Sequence, residues 1–166
     1  MNIFAVHKCP TESARALPDK LIVKMPLETA QMLSTAHRIL SPHEYCEIKG
    51  IYKPAFVNHP CTIWTRETHE NYRWVLEHFV ALCEEYHNRY DKYHACWIKL
   101  WDGLAIFPMD IKEGNLTKFA QAMPDQYKSD SHIWSYRNYM INEKHYAKWE
   151  RVQTNLLGGN SHGVRQ

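Results

Sequence analysis

Apolar side chains recur every three or four residues along two long stretches of this 166-residue chain. This spacing places them on one face of an α-helix. Residues 19–40 and residues about 60–90 both follow it, with charged side chains between the apolar ones. We therefore expect long amphipathic helices and a mainly α fold.

The rest of the chain predicts shorter elements around these helices. Pro26 lies inside the first long pattern and indicates either a kink or the start of a new helix. The second long helix ends near residue 90 or continues to residue 101. The other predicted elements are an extended segment at 3–6, helices at 11–17 (with Thr11 as N-cap), 117–122 and 130–152, and connections at 41–60 and 102–116. We predict one compact helical domain over residues 1–152, with long connecting loops, and a flexible tail over residues 153–166.

The sequence carries no sign of a membrane or of secretion. No apolar run approaches the roughly 18–20 residues that a membrane-spanning helix needs, and the N-terminus lacks the basic and apolar regions of a signal peptide. The five cysteines include no CxxC pair, which is typical of a reducing cytosol. We expect a soluble cytoplasmic protein.

Charge and aromatic content allow contact with nucleic acid. Twenty basic residues oppose 18 acidic ones, and the chain holds 11 histidines, 10 tyrosines and six tryptophans. Aromatic and cationic side chains alternate toward the C-terminus, a combination that binds single strands and phosphates without sequence preference; an ordinary amphipathic helix shows the same pattern. The predicted nucleic-acid contacts are His37, Arg38, Lys128, Arg137, Lys148 and Trp149.

One helix face carries the strongest candidate for chemistry. Lys20, Lys24, Glu28 and Gln31 follow one another at steps of four, four and three. Lysines there can hold an anionic substrate group while the carboxylate acts as a base. The alternative is a solvated helix face stabilised by i,i+4 ion pairs.

His59 precedes Pro60 at the predicted start of the second long helix, where Asn58 is a possible N-cap. If the two long helices pack with their N-terminal parts together, His59 becomes a general acid or base near Glu28. Otherwise the segment is a structural junction. We count His59 with Glu28, Lys24 and Lys20 as the predicted catalytic residues.

The candidates for a metal or cofactor are few. Glu84, His87, Asp91 and His94 fall on one side if the helix continues past residue 90, and they are residue types that bind zinc; an exposed polar stripe is the alternative. Six glycines and no glycine-rich loop argue against P-loop and Rossmann enzymes. We expect no cofactor.

Several segments resemble an uncharacterised family of phage-encoded proteins. The resemblance rests on Met1-Asn2-Ile3-Phe4, Glu28-Thr29-Ala30-Gln31, Asn58-His59-Pro60-Cys61, Ala81-Leu82-Cys83-Glu84 and Phe119-Ala120-Gln121-Ala122. It implies location in the cytoplasm of an infected host cell and the possibility of a host protein as partner.

Leu17-Pro18-Asp19-Lys20-Leu21, followed seven residues later by Glu28, is similar to the start of the T4-phage type of pyrimidine-dimer DNA glycosylases. In that family, the glutamate stabilises the imine that forms when the N-terminal amine attacks the sugar. Leu21 stands where the family has a histidine. The resemblance implies a DNA glycosylase or lyase with Glu28 as the catalytic carboxylate. The amine of Met1 or of Lys8, Lys20 or Lys24 would be the nucleophile, and Asn2 is too large for Met1 to be trimmed efficiently.

Two other functions remain as hypotheses. The first is a non-catalytic binder of a nucleotide or host protein, with Lys24, His37, Arg38 and His59 forming an anion pocket. The second is a metal-dependent hydrolase built on Glu84 and its neighbours.

Overall fold

The two long stretches with helical periodicity contain the two longest helices of the protein, which pack against each other. The computed structural model describes residues 1–145 and 147–151. Within them, it contains seven α-helices, a single 3-10 turn at Asp125–Tyr127 and no strand. The α-helices are α1 (Pro10–Arg15), α2 (Asp19–Leu40), α3 (His43–Ile48), α4 (Pro60–Thr65), α5 (His69–Tyr90), α6 (Ala95–Leu104) and α7 (His132–Glu143). The prediction of an all-helical domain is confirmed.

The core lies between α2 and α5, which make the most extensive helix–helix contact. α1 packs on α5, and both α4 and α6 pack on α2. Fully buried Met25 and Leu33 of α2 and Phe79 and Leu82 of α5 belong to this core. Each such side chain stabilises the fold by about 1.5–3 kcal/mol relative to an exposed one. None of the described helices has the length and apolar content to cross a bilayer.

Several predicted boundaries are wrong, each for a local reason. Cys9 rather than Thr11 precedes α1. The predicted bounds of α2 are confirmed, and of the two alternatives at Pro26 only the new helix start is wrong, since one helix continues through this residue. The predicted helix over 60–90 is two helices, because the Thr68 side chain accepts a hydrogen bond from the Asn71 N–H and begins α5 anew. α5 does not continue to residue 101, since the backbone of Asp91, which follows its last residue, is in the left-handed conformation, with φ 53°.

The other differences concern short elements. α3 occupies part of the predicted connection 41–60 and buries only Cys46, so it leaves no apolar period to detect. No helix forms over 117–122. The Asn71 side chain instead accepts a hydrogen bond from the Thr117 N–H and donates one to the Thr117 hydroxyl. α7 ends at Glu143 rather than 152. The predicted tail over 153–166 lies outside the described residues.

Two histidines are buried in the core in the neutral form. Burial lowers the pKa of both His37 and His78 to about 4. The Tyr72 hydroxyl donates to the Leu104 carbonyl and therefore accepts from His37 Nε2–H at 2.9 Å. His78 Nδ1 donates to the Pro10 carbonyl at 2.9 Å. Both rings therefore serve as internal hydrogen-bond groups.

These histidines make the protein sensitive to acid. Between about pH 6.5 and pH 4 the unfolded chain binds protons at His37 and His78 that the folded protein does not bind. The free energy of unfolding therefore falls as the pH falls through this window, by about 1.4 kcal/mol per pH unit for each histidine. We expect urea denaturation at pH 7, 6 and 5 to show this loss.

The matched control is the double variant His37→Gln, His78→Asn, whose amides keep the donors to Tyr72 and Pro10. Its free energy of unfolding should fall less steeply with acid than that of the wild type. Equal slopes for the two proteins would contradict the assignment.

Candidate active site

The N-terminal amine lies beside the Glu28 carboxylate. The Met1 nitrogen lies 3.5 Å from Glu28 Oε2, and Lys24 Nζ lies 2.9 Å from Oε1. Each carboxylate oxygen thus faces one amine. The Met1 and Glu28 side chains are 1% and 10% exposed, whereas that of Lys24 is 66% exposed. The site consists of a largely buried carboxylate between the amine of the partly buried Met1 and an exposed lysine.

The N-terminal segment is fixed by hydrogen bonds of two buried polar side chains, those of Asn2 and Ser13. Asn2 Nδ2 donates to the Ala122 carbonyl at 2.8 Å, and Asn2 Oδ1 accepts from the backbone N–H groups of Ile3 and Phe4. Ser13 Oγ accepts from the Val6 N–H and donates to the Phe4 carbonyl. Phe4 itself has φ 41°, a strained value for an aromatic residue. These contacts hold the amine against α2.

α2 orders the charged face that the sequence predicted. Lys24 and Glu28 are one turn apart and form the i,i+4 ion pair. Lys20 is exposed and lies eight residues before Glu28, about 12 Å along the axis. The structure therefore brings Met1 and Lys24, but not Lys20, to the carboxylate.

His59 stands at the edge of the same site. It is the N-cap of α4, where its Nδ1 accepts from the Cys61 N–H at 3.2 Å; Asn58 does not have this role. Burial lowers the pKa of His59, and the positive charge at Met1 lowers it further, against a smaller opposing effect of Glu28. The neutral ring with Nδ1 as acceptor carries its proton on Nε2.

Cysteine does not compete as a nucleophile here. Cys61 is buried beside the amine and Glu28, and burial raises the pKa of its thiol to about 11. Burial also raises the pKa of the Cys83 thiol far above its ordinary value. Thiols in this state carry almost no reactive thiolate at neutral pH.

Lys8 occupies another region. It lines an open groove of about 520 Å³ together with Lys118, Phe119 and His132, and neither Met1 nor Glu28 belongs to its lining. The structure therefore separates Lys8 from the carboxylate.

A family model described as pyrimidine dimer DNA glycosylase matches residues 1–98, more than half of the chain. The chain belongs to the pyrimidine dimer DNA glycosylase family. Met1, Lys24, Glu28 and His59 all lie inside the matched part. Membership supports a DNA glycosylase function with DNA as the partner. Comparisons with curated proteins and with solved structures gave no match.

Two predicted DNA contacts have internal partners in the structure. His37 is fully buried, so it offers nothing to a phosphate. The Arg38 guanidinium is used internally: it donates to the carbonyls of Ile51 and Tyr52 and pairs with Glu47. The anion pocket proposed for a non-catalytic binder is therefore not assembled, since these two residues do not join Lys24 and His59.

The predicted contacts near the C-terminus divide into exposed and anchored side chains. Lys128 and Lys148 are exposed, with ion pairs to Asp125 and Glu150. Arg137 Nε donates to the Val6 carbonyl at 2.8 Å, and Trp149 Nε1 donates to the Ala16 carbonyl at 2.9 Å. The first two side chains are thus exposed, and the last two anchor their segments to the domain.

The four residues of the predicted metal site do not share one helix face. Glu84 and His87 lie on α5, but Asp91 ends that helix and His94 is the N-cap of α6. His94 Nδ1 accepts from the Cys96 N–H, which uses one of its two ligand positions. Within residues 1–145 and 147–151, no group of three or more His, Cys, Asp or Glu side chains is placed to hold a metal ion.

Sequence reasoning missed the residues that fix the N-terminus. Asn2 and Ser13 are buried polar side chains beside the apolar segment Ile3 to Val6. A polar residue next to such a segment is a signal for an internal hydrogen-bond role. The partner of Asn2, the Ala122 carbonyl, is 120 residues away, so only the tertiary structure identifies this partner.

Proposed function

We propose that this protein is a glycosylase and lyase acting on pyrimidine dimers in DNA, with the Met1 α-amine as nucleophile and Glu28 as catalytic carboxylate. The observation that carries the proposal is the 3.5 Å approach of the amine to the largely buried Glu28 carboxylate. Both groups lie in the part of the chain that the family model matches.

The reaction follows from amine chemistry at a sugar carbon. The ammonium gives one proton to Glu28, and the neutral amine adds to C1′ as the bond from C1′ to the base breaks. The base leaves with the electron pair and takes the proton from Glu28, which is then a carboxylate again. Opening of the sugar ring, whose oxygen takes the proton released from nitrogen, gives an imine. Removal of a C2′ proton by Glu28 then expels the 3′-phosphate, and water hydrolyses the imine to return the amine.

The α-amine is better suited to this role than a lysine. As a class, α-amines lose their proton near pH 8, whereas lysines do so near pH 10.4. At physiological pH, α-amines as a class are therefore neutral to a larger fraction than lysines are. In this proposal Lys24, on the exposed side of Glu28, attracts the phosphate next to the lesion.

His59 completes the proposed site. Its neutral ring, with the proton on Nε2, donates a hydrogen bond, and the burial and positive charge that lower its pKa favour this form. We assign it the role of orienting the leaving base or a water molecule. The exposed Lys128 and Lys148 are proposed phosphate contacts. A phage origin and a host partner stay predictions.

Borohydride trapping tests the proposal directly. Wild-type protein mixed with duplex DNA that carries one pyrimidine dimer should form a covalent adduct, because borohydride reduces the imine to a stable secondary amine. Intact-protein mass should show a single adduct that retains Met1, and peptide mapping should place it on the Met1 nitrogen.

Two variants locate the nucleophile. Lys24→Gln should still be trapped, whereas a protein with an uncleaved N-terminal extension should not, although a C-terminal extension should be harmless. An adduct on Lys24, Lys20 or Lys8 would contradict the role of Met1. No adduct from the folded wild-type protein would contradict imine chemistry.

A further inference from the structure

Asn2 is held by a carbonyl from beyond the part of the chain that the family model matches. The match ends at residue 98, whereas the Ala122 carbonyl, which accepts from Asn2 Nδ2 at 2.8 Å, belongs to a later segment. Residues 111–122 form no helix or strand, so no regular ladder of hydrogen bonds fixes the direction of this carbonyl. The orientation of Asn2, and with it that of the Met1 amine, therefore depends on what else binds Ala122.

Tyr136 on α7 provides this second contact. Its side chain is fully buried. Its hydroxyl donates to the Ala120 carbonyl at 2.6 Å and accepts from the Ala122 N–H at 3.4 Å. Burial raises the pKa of Tyr136 well above its ordinary value, so the hydroxyl keeps the proton that it donates. Ala122 thus binds Asn2 through its carbonyl and Tyr136 through its N–H, and one residue connects the two side chains.

The same tyrosine contacts two other parts of the site. Its hydroxyl lies 3.8 Å from Cys61 Sγ, and the Cys61 N–H donates to His59 Nδ1 at 3.2 Å. The Tyr136 ring packs edge-on against Phe4, with 6.2 Å between the ring centroids. Phe4 is the strained residue of the N-terminal segment. One side chain therefore contacts the N-terminal segment, the segment that holds it and the start of α4.

The direction of the amine matters because attack on C1′ requires the nitrogen lone pair to point at that carbon. A misplacement of about 1 Å lowers the rate of such a step by about 10²-fold. Asn2 Oδ1 is already used by the N–H groups of Ile3 and Phe4, at 2.8 and 3.0 Å. The bond from Asn2 Nδ2 to Ala122 is therefore the one that ties this end of the chain to the rest of the domain.

We propose that Tyr136 is a positioning residue for the glycosylase reaction: its hydroxyl orients Ala122, which holds Asn2 and so aims the N-terminal amine at C1′. The inference rests on the proposed function, since only a nucleophilic amine needs this aim. The Gln121 side chain and the Ser129 backbone exchange two further hydrogen bonds, so the segment stays attached to the domain without the hydroxyl. Loss of the hydroxyl therefore changes the direction of the amine more than it changes folding.

Single-turnover product formation from DNA with one pyrimidine dimer tests this role. Tyr136→Phe keeps the ring and removes the hydroxyl, and it should lower the rate constant at saturating DNA by about 10-fold to 10²-fold. The DNA concentration that gives half the maximal rate should stay within about twofold of the wild-type value, because the groups that bind DNA are unchanged. A merely structural role would lower the melting temperature and the fraction of protein that reacts, but not the rate constant of the folded molecules.

A double variant shows whether the effect passes through Asn2. Asn2→Leu cannot donate to Ala122, and leucine is also too large for Met1 to be trimmed efficiently. Its rate constant should fall at least as far as that of Tyr136→Phe. The double variant Asn2→Leu, Tyr136→Phe should react no more than about twofold more slowly than Asn2→Leu alone, because the effects of residues in one hydrogen-bond network are not additive.

The matched control is Tyr45→Phe. The Tyr45 hydroxyl also donates to a backbone carbonyl at 2.6 Å, that of Gly103. This bond joins α3 to α6, and neither the N-terminal amine nor Glu28 takes part in it. Tyr45→Phe should therefore keep the wild-type rate constant although it loses the same kind of bond.

The outcomes distinguish the inference from the proposed function. A wild-type rate constant for folded Tyr136→Phe, a loss confined to the fraction that reacts, or losses that multiply in the double variant would overturn the inference and leave the glycosylase assignment intact. A wild-type rate constant for Asn2→Leu would also overturn it, whether or not Tyr136→Phe folds. A folded wild-type protein that forms neither product nor an adduct on Met1 would overturn the proposed function and the inference together.

Discussion

Glu28→Gln is expected to lower product formation by about 10³-fold or more while the protein stays folded. Glutamine keeps the size of the side chain, but it has no charge to stabilise the positively charged intermediates and no basic oxygen to take the C2′ proton. The two amines that contact Glu28 lose their common partner. Lys24 remains solvated, so the cost in stability falls mainly on Met1.

Single-turnover product formation from dimer-containing DNA measures this effect, with thermal melting as the check on folding. The matched control is Glu84→Gln, an exposed glutamate on α5, which should keep the wild-type rate. This control also addresses the metal hypothesis, since Glu84 belongs to the predicted stripe. A Glu28→Gln protein with wild-type activity would refute the assignment of the site.

Arg89→Met is expected to have the largest effect on stability, about 3–5 kcal/mol of unfolding free energy. The Arg89 side chain is buried and pairs with Asp19 at 3.0 Å and with Glu85 at 2.9 Å. It also donates to the carbonyls of Leu17 and Arg15. Methionine fills a similar volume but leaves two largely buried carboxylates and two carbonyls without this donor.

Urea denaturation measures this loss, and the melting temperature should fall by roughly 10 °C. The matched control is Arg73→Met on the same helix, since Arg73 is 47% exposed and pairs with Glu70 at 3.3 Å. Its cost should be below about 1 kcal/mol. Similar losses for the two variants would show that burial of Arg89 does not determine its contribution.

The sequence predicted well where one helix buries one continuous stripe. The bounds of α2 agree with the prediction because apolar periodicity extends over its whole length. The same signal could not reveal the break between α4 and α5, because both helices bury apolar residues and only the cap at Thr68 separates them. α3 is too short to show a period.

The end of α7 illustrates a different limit. Aromatic and basic residues continue in the sequence beyond Glu143, but the chain leaves the helix and binds the start of α2. The Lys148 carbonyl accepts from the Asp19 N–H at 2.9 Å, and Asp19 Oδ2 accepts from the Glu150 N–H at 3.0 Å. These contacts join segments about 130 residues apart, and they outweigh local helix propensity.

For the site, the sequence by itself determined the helix face with Lys24 and Glu28, since side chains four residues apart share a face in any α-helix. Only the tertiary structure decided which amine joins that face. The Met1 amine reaches Glu28 because Asn2 is bonded to the Ala122 carbonyl, and no local pattern encodes that contact. Burial likewise decided that His37 is a neutral core group and not a phosphate ligand, because the free energy of a charge depends on the solvent that remains around it after folding.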